Sequence, residues 1–471
     1  MKRDIIISAL LNQVQVGIVE DGRLVEYYLE RDCKDRLESN IYKGKVENVL
    51  PGMGAAFVDI GTAKNASLFL ADAAADLKIG ESIMVQVSKE AVGAKGPRVT
   101  TKISLPGRYL VLMPCQDHIG VSRQITDGDE RLRLKEIAEE IRPEGCGLIV
   151  RTVAESCTRS ELQEDLTELL EEWSCIKKKY KGKSSSPLLY QDFDLVHRIL
   201  RDLYAAENTK VVVDSAELQN RVEEDLANLG VKEIAPVELY QGKVDLLTHL
   251  GFRKELERAG NNRVWLDCGG YLVFNQTEAL MSIDVNTGKY VGSKNLQDTV
   301  LKTNLQAAQE IAHQLRLRNT GGIVIIDFID MSDPNNREAV LEQLAMSLSA
   351  DKTRTNLLGF TRLGLVELTR KKTERLLSHV LEVDCPHCKG RGRVLSDETL
   401  AFQIAKEVNS LSLENTETIS VYCHPAVAGF VIGPRGSNLR ALEKHTGRTI
   451  CVHGDESLAR QDYRVQSCSI D

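Results

Sequence analysis

Ala279-Leu-Met-Ser-Ile-Asp-Val-Asn-Thr-Gly288 and Gly321-Gly-Ile-Val-Ile-Ile-Asp-Phe-Ile-Asp330 decide how this chain folds. Leu280–Ile283 and Ile323–Ile326 are short apolar runs with β-branched residues, the composition of strands buried in a parallel sheet. Between them Leu301, Leu305, Ala308, Ile311 and Leu315 recur at helical spacing, with Lys302, Gln309, Gln314 and Arg316 on the facing positions. A strand, a crossover helix and a second strand predict a parallel pair. Asp284 and Asp327 then end their strands at one edge of the sheet, the edge where open α/β sheets place ligands.

Like charges brought together are costly unless a proton or a cation is shared. Magnesium suits such a place, because it keeps several waters and needs only one or two carboxylates plus phosphate. Asn286 adds a neutral polar group nearby. One reading is magnesium-assisted attack of water on a phosphodiester. The other, on spacing alone, is that both aspartates are strand-end caps for the turns that follow.

The 471 residues predict several domains, and 42% apolar content supports real cores. A net charge of −8, from 60 basic and 68 acidic side chains, does not mark a nucleic-acid binder, so RNA binding must rest on local basic patches. Met1-Lys-Arg-Asp4 precedes only a strand-length apolar run, so no signal peptide is expected. No apolar stretch is long enough to span a bilayer. The eleven cysteines are scattered apart from one close pair, which predicts a reducing cytoplasm.

Residues 4–31 read as strands, with a hairpin turn at Asp21-Gly22. Short strands and glycine turns from Asn40 to Leu105 read as a small barrel. Gly44-Lys-Val46 and Ala56-Phe-Val-Asp-Ile-Gly61 resemble the S1-type OB fold, in which Phe57 stacks a base and Lys95 and Arg98 meet phosphate; a buried core role for Phe57 is the alternative. Mixed elements follow, with Arg151 and Thr152 at a strand end. Arg151 there is either a phosphate receiver or half of a surface ion pair. The basic run from Lys177 to Pro187 reads as a solvated loop. Lys371-Lys372 after Gly364–Arg370 reads as a cationic cluster beside the two aspartates, suited to a polyanion. Cys385-Pro-His-Cys388 has metal-ligand spacing but supplies half of a zinc site, which two chains sharing one ion would complete; a redox dithiol is the alternative. Val431–Gly447 is like a KH signature, with Gly433-Pro-Arg435-Gly436 as a backbone clamp; a turn packed at a dimer interface is equally open.

Asp284-Val-Asn-Thr-Gly288, Lys302-Thr-Asn-Leu-Gln-Ala-Ala308, Arg316-Leu-Arg-Asn319 and Ile326-Asp-Phe-Ile-Asp-Met331 together resemble the catalytic core of the ribonuclease E/G family, in wording nearer its G branch. The likeness runs from the N-terminus to about Arg393, and the absence of a long acidic or proline-rich tail agrees with that branch. It implies a multidomain α/β (α+β) protein. Residues 1–35 and 196–276 would form an RNase H-like subdomain. Inserted in it would be an S1-type OB barrel (36–105) and a 5′-sensor region (106–195). A DNase I-like catalytic domain (277–383), a zinc link (384–394) and a small domain (395–471) would follow. Asp284 and Asp327 would hold the catalytic magnesium, with Asn286 orienting the site. Arg151, Thr152 and Arg123, with backbone from Gly107 and Val111 and with Arg354 approaching from the catalytic domain, would sense a 5′-monophosphate. Cys385 and Cys388 would share zinc across a homodimer, and dimers could pair further into a tetramer. One departure stands out: the family carries a second barrel aromatic where this chain has Ser67, and Phe69, two residues on, shares its strand face. The implied activity is endonucleolytic cleavage of single-stranded, A/U-rich RNA, serving rRNA 5′ processing and mRNA decay. A non-catalytic RNA-binding hub and a phosphorolytic exoribonuclease are the competing classes.

Overall fold

The computed structural model describes all residues except 1, 32–35, 74–75, 92–94, 183–186, 205–208, 232–235, 289–295, 374, 412–417 and 469–471. The chain divides into two units, Met1–Val380 and Leu381–Asp471. The first opens with antiparallel strands β1 (Arg3–Leu10), β2 (Gln13–Glu20) and β3 (Arg23–Arg31). Strands β4 (Ile41–Leu50), β5 (Ala55–Asp59), β6 (Ala66–Phe69), β7 (Ser82–Lys89) and β8 (Arg98–Thr100) follow. They run in the order β4-β5-β6-β8-β7, and pairing of β4 with β7 closes them into an OB-like barrel. At Gly44 an added Cβ would lie 2.4 Å from Val58, so the barrel wall closes only around glycine.

A four-stranded sheet comes next, from β9 (Leu105–Pro106), β10 (Leu110–Met113), β11 (Ile119–Val121) and β12 (Gly147–Val150). Helices α1 (Gly128–Ile141) and α2 (Arg159–Lys181) pack on it. Thr158 and Glu161 form a reciprocal capping box that starts α2. The helix continues through Lys177–Lys181, so the first five residues of the basic run expected to be a loop are helical. Buried Trp173 and Ile176 extend the apolar stripe into it, and lysines in a last turn complement the helix dipole. Residues 183–186 of that run lie outside the described residues.

Strand β13 (Leu188–Tyr190) pairs with β4, and α3 (Leu195–Leu203) leads to β14 (Thr209–Val213). β14 lies parallel to β1, so residues far apart in sequence complete one sheet, ordered β15-β14-β1-β2-β3. Helix α4 (Ala216–Asn228) precedes its edge strand β15 (Glu238–Leu239), and α5 (Leu246–His249) and α6 (Phe252–Gly260) follow.

The last sheet of this unit comprises β16 (Arg263–Trp265), β17 (Tyr271–Gln276), β18 (Leu280–Asn286), β19 (Gly322–Asp327), β20 (Thr355–Phe360) and β21 (Val366–Arg370), ordered β16-β17-β18-β19-β21-β20. Helix α7 (Leu296–Leu317) crosses from β18 to β19, which are parallel, and α8 (Pro334–Ser349) joins β19 to β20. Asp333 caps α8 with proline at its first position. Ala307, Ala308, Ile311 and Leu315 of α7 and Val340 and Leu344 of α8 bury one face of the sheet, with Leu272, Phe274, Ile283, Val324 and Leu368 beneath them. Strand alternation therefore turns Ser282, Asp284, Ile323 and Asp327 to the opposite face. Helix α9 (Leu377–Leu381) ends this stretch.

In the second unit, α10 (Asp397–Leu411), α11 (Pro425–Ile432) and α12 (Ser437–Thr446) accompany β22 (Thr418–Cys423), β23 (Thr449–Gly454) and β24 (Tyr463–Cys468). β22 is central, parallel to β23 and antiparallel to β24. Among the described residues, no helix of the chain is long and apolar enough to cross a membrane.

Candidate active site

The crossover places Asp284 directly opposite Asp327, at the ends of β18 and β19. Both side chains are exposed on the uncovered face. Neighbouring strands lie about 4.8 Å apart, so the two carboxylates share one locality. Asn286 Nδ2 donates to Asp284 Oδ2 at 2.8 Å and fixes that carboxylate's orientation. Partial burial, then the charges of Asp284 and Asp330, push the Asp327 carboxyl above its ordinary range. Among the described residues, neither aspartate has a basic partner within ion-pair distance. Two close, uncompensated carboxylates with a neutral amide beside them form a donor set that fits magnesium, which completes its shell with water and phosphate oxygens. No group of three or more His, Cys, Asp or Glu side chains that could hold a metal ion occurs among the described residues.

Asn304 positions the loop beyond Asp327, a role the sequence reading missed. Fully buried on α7, it donates to Ile329 O at 2.8 Å and accepts from Ile329 N at 3.2 Å. An amide on the apolar stripe of a helix was the available signal, since buried polar groups need partners.

Lys371 and Lys372 are not beside the aspartates. β21 runs antiparallel to β19 and pairs Arg370 with Gly322, so the lysines follow at the edge where β19 begins. Five residues of strand, about 16 Å, separate that edge from Asp327. Lys372 packs over Gly321 and Gly322, where an added Cβ would lie 2.9 Å and 2.8 Å from its side chain. Lys371 N donates to Arg354 O at 2.9 Å. Lys371 lines a cleft of about 710 Å³ that also includes Arg31, Arg36, Lys352 and Arg375. Arg354 also lines this cleft, and among the described residues no hydrogen bond or ion pair joins it to Arg151, Thr152 or Arg123.

Arg151, Thr152, Gly107 and Val111 do come together around β10 and β12. Arg151 Nη1 donates to Gly107 O at 2.6 Å, and Arg151 Nη2 pairs with Asp202 at 2.7 Å. The ion-pair alternative is thus realised in the structure. Burial would raise the Asp202 carboxyl, but Arg151 and Arg201 override it and hold it below its ordinary range. Thr152 Oγ1 lies 2.8 Å from Ser122 Oγ and donates to Gln124 at 3.1 Å. Arg123 is exposed next to them. Buried Asp165 accepts backbone N–H bonds from Arg108, Tyr109 and Leu110 at 2.8–3.0 Å and shapes the turn. A Cβ at Gly107 would meet that carboxylate at 2.7 Å, so the turn requires glycine. Asp165 and Asp202 were not singled out from sequence, although a carboxylate among Leu162, Leu166 and Leu169 marks the buried face of α2.

In the barrel, Phe57 is half-buried and sits opposite Ser67, while Ala55 sits opposite Phe69. Phe69 is 40% exposed on the same face as Ser67. Arg98, beside Ser67 on β8, lays its guanidinium 4.1 Å from the Phe69 ring centre and pairs with Asp72 at 3.0 Å. Lys102 shares Asp72 at 3.2 Å, and Lys95 is exposed nearby in sequence. Arg98 therefore has a carboxylate partner already.

In the second unit Cys385 is exposed and Cys388 half-buried in a knuckle where Lys389 N donates to Cys385 O at 2.7 Å. Backbone N–H groups of Cys388 and His387, with the Cys388 side chain, draw the Cys385 thiol below its ordinary value. Gly433, Arg435 and Gly436 adopt positive φ in the turn between α11 and α12, with Arg435 exposed.

The family model described as "Ribonuclease E/G family" matches residues 104–373, and that described as "RNase E/G, Thioredoxin-like domain" matches residues 384–468. Ribonuclease G of Escherichia coli (strain K12) is 38% identical over 99% of both chains. Ribonuclease G of Haemophilus influenzae is 38% identical over 98% of this chain and 99% of its own. Ribonuclease E of Escherichia coli (strain K12) is 33% identical over 96% of this chain and 44% of its own.

Proposed function

The chain belongs to the ribonuclease E/G family, and on that premise we propose that it is a metal-dependent endoribonuclease cutting single-stranded, A/U-rich RNA to leave 5′-phosphate and 3′-hydroxyl ends. The observation that carries this reading is the pairing of Asp284 with Asp327 at one edge of an open sheet face. Asp284 and Asp327 would hold magnesium there, and the ion, when bound, would supply Lewis-acid polarisation of the phosphate and a more acidic water. Asn286, by donating to the Asp284 carboxylate, would hold it in one orientation for that role. Asn304 holds the chain after Asp327 so that this carboxylate keeps its place. The barrel, through Phe57, Phe69, Lys95 and Arg98, and the Arg151–Thr152 region guide the RNA, with the latter receiving a 5′-monophosphate. For that, phosphate must take over the Arg151 fork from Asp202.

Cys385 and Cys388 give two thiolates per chain, half of zinc's tetrahedral requirement, so a homodimer sharing the ion follows. Processing of rRNA 5′ ends and mRNA decay in the cytoplasm are the roles this activity serves. The test is Asp284→Asn assayed with magnesium on an internally labelled RNA. Cutting should be abolished while RNA affinity stays close to wild type. Undiminished cutting would refute the site, and release of nucleoside diphosphates would assign the phosphorolytic class instead.

A further inference from the structure

Residues paired across neighbouring strands project to the same face of a sheet. Two rows therefore cross the uncovered face of the catalytic sheet. One is Arg263–Val273–Asp284–Asp327 and the next is Trp265–Tyr271–Asn286. The intervening Val264, Leu272 and Phe274 point into the core. An aromatic pair thus stands in register with the amide that orients the Asp284 carboxylate. Trp265 is 51% exposed. Its ring centre lies 5.2 Å from that of Tyr271 at an interplanar angle of 58°. The Arg263 guanidinium lies 4.5 Å from the Tyr271 ring centre, on a neighbouring strand. The backbone beneath this group is tightly placed: Arg258 donates to Trp265 O, and a Cβ at Gly270 would lie 2.7 Å from Asn286 O.

Core packing gives no reason for a half-exposed tryptophan at the end of a strand. Its position gives one. At about 4.8 Å per strand, Tyr271 is one strand and Trp265 two strands from Asn286. A nucleotide adjoining a phosphate held at Asp284 and Asp327 spans that distance. Aromatic rings stack on any base, because every base presents a π face. We propose that Trp265 and Tyr271 form a base-stacking subsite for an unpaired nucleotide flanking the scissile phosphate, with Arg263 meeting that nucleotide's backbone phosphate. This rests on the assignment of the dicarboxylate pair as the cleavage site. It accounts for a preference for single strands at the point of cutting, since a base held in a duplex cannot turn onto the rings.

The test uses the full-length chain and short single-stranded RNAs, intact or abasic at the nucleotides flanking the cut. Trp265→Ala should lower kcat/KM by about 5- to 150-fold on intact RNA, the range of one base–aromatic stack. On the abasic RNA the loss should vanish, and Trp265→Phe should recover part of it. Equal losses on both RNAs, or none on either, would overturn the subsite. A second readout does not depend on cleavage. Trp173 and Trp265 are the two tryptophans of the chain, so a Trp173→Phe, Asp284→Asn protein reports Trp265 fluorescence alone. RNA should quench it, and the abasic RNA should not. Quenching that follows protein concentration without RNA would assign the face to self-association and overturn the proposal. Retained cleavage by Asp284→Asn with RNA-dependent quenching would sink the catalytic assignment while leaving base stacking demonstrated.

Discussion

Replacing Arg316 by methionine should loosen the seat of the catalytic helix. Arg316 lies in the last turn of α7 and reaches the N-terminal sheet, donating from Nε to Glu26 at 2.8 Å and from Nη1 and Nη2 to Glu20 at 2.5 Å and 2.9 Å. All three side chains are more than nine-tenths buried. Removing one member of a buried ion cluster costs about 3–5 kcal/mol, because the remaining charge is stranded in a poor solvent. Here the loss falls at the lower end, since Glu26 keeps Lys352 at 2.8 Å and Glu20 keeps Arg3 at 3.0 Å. About 3 kcal/mol corresponds to more than a hundredfold in the local opening equilibrium. Hydrogen exchange should therefore accelerate by that factor in β3 and the last turns of α7. A triple variant, Arg316→Met with Glu20→Gln and Glu26→Gln, should recover much of the loss, because the buried carboxylates are then neutral and the cations they leave behind, Arg3 and Lys352, are partly exposed to water. Unchanged exchange in Arg316→Met, or a triple variant worse than the single one, would refute the assignment of this cluster as the clamp between sheet and helix.

Acid should attack the same junction. Burial tends to raise Glu26 and Glu310, but Lys352 and Arg316 hold Glu26 at about 2, and His313 and Arg23 hold Glu310 at about 2. The stability these carboxylates contribute is present above about pH 4.5 and is lost as pH falls toward 2; urea midpoints measured across that window should fall, and in the Glu26→Gln protein they should fall less steeply. Arg151→Ala should slow cleavage of 5′-monophosphorylated RNA much more than of 5′-hydroxyl RNA, and equal slowing in paired rate measurements would count against a sensor. Cys385→Ser should release zinc and dissociate the dimer, read by metal analysis and sedimentation; an unchanged sedimentation profile would favour a dithiol with no role in assembly.

The parallel pair at the centre was legible because an apolar β-branched run, a helical stripe and a second such run admit few arrangements. That logic put Asp284 and Asp327 at one edge, where register then set them face to face. Lys371 and Lys372 were misplaced because nothing in Val366–Arg370 states whether a strand joins its neighbour parallel or antiparallel. The lysine-rich end of α2 looked like a loop because composition outweighed two apolar residues, Trp173 and Ile176, that continue the stripe. Asp202, the partner of Arg151, was out of reach of pattern reading, since the pair joins positions 51 residues apart through tertiary packing (202 − 151). In the barrel, the shared face of Phe69 and Ser67 followed from strand alternation, whereas the Arg98 guanidinium over that ring depended on the neighbouring strand.

The pairing of β14 with β1 also bears on how the chain is made. β1 emerges from the ribosome well before its parallel neighbour, which begins at Thr209, whereas β3 ends at Arg31, a gap of 178 residues (209 − 31). At about 5–20 residues per second, β1 waits roughly 9–36 s with one flank open. An unpaired flank is a template for joining another nascent chain. The barrel and the sheet with α1 and α2 can fold during that delay, each on contacts of its own. Slowed translation between these points should therefore raise aggregation more than slowed translation after Val213.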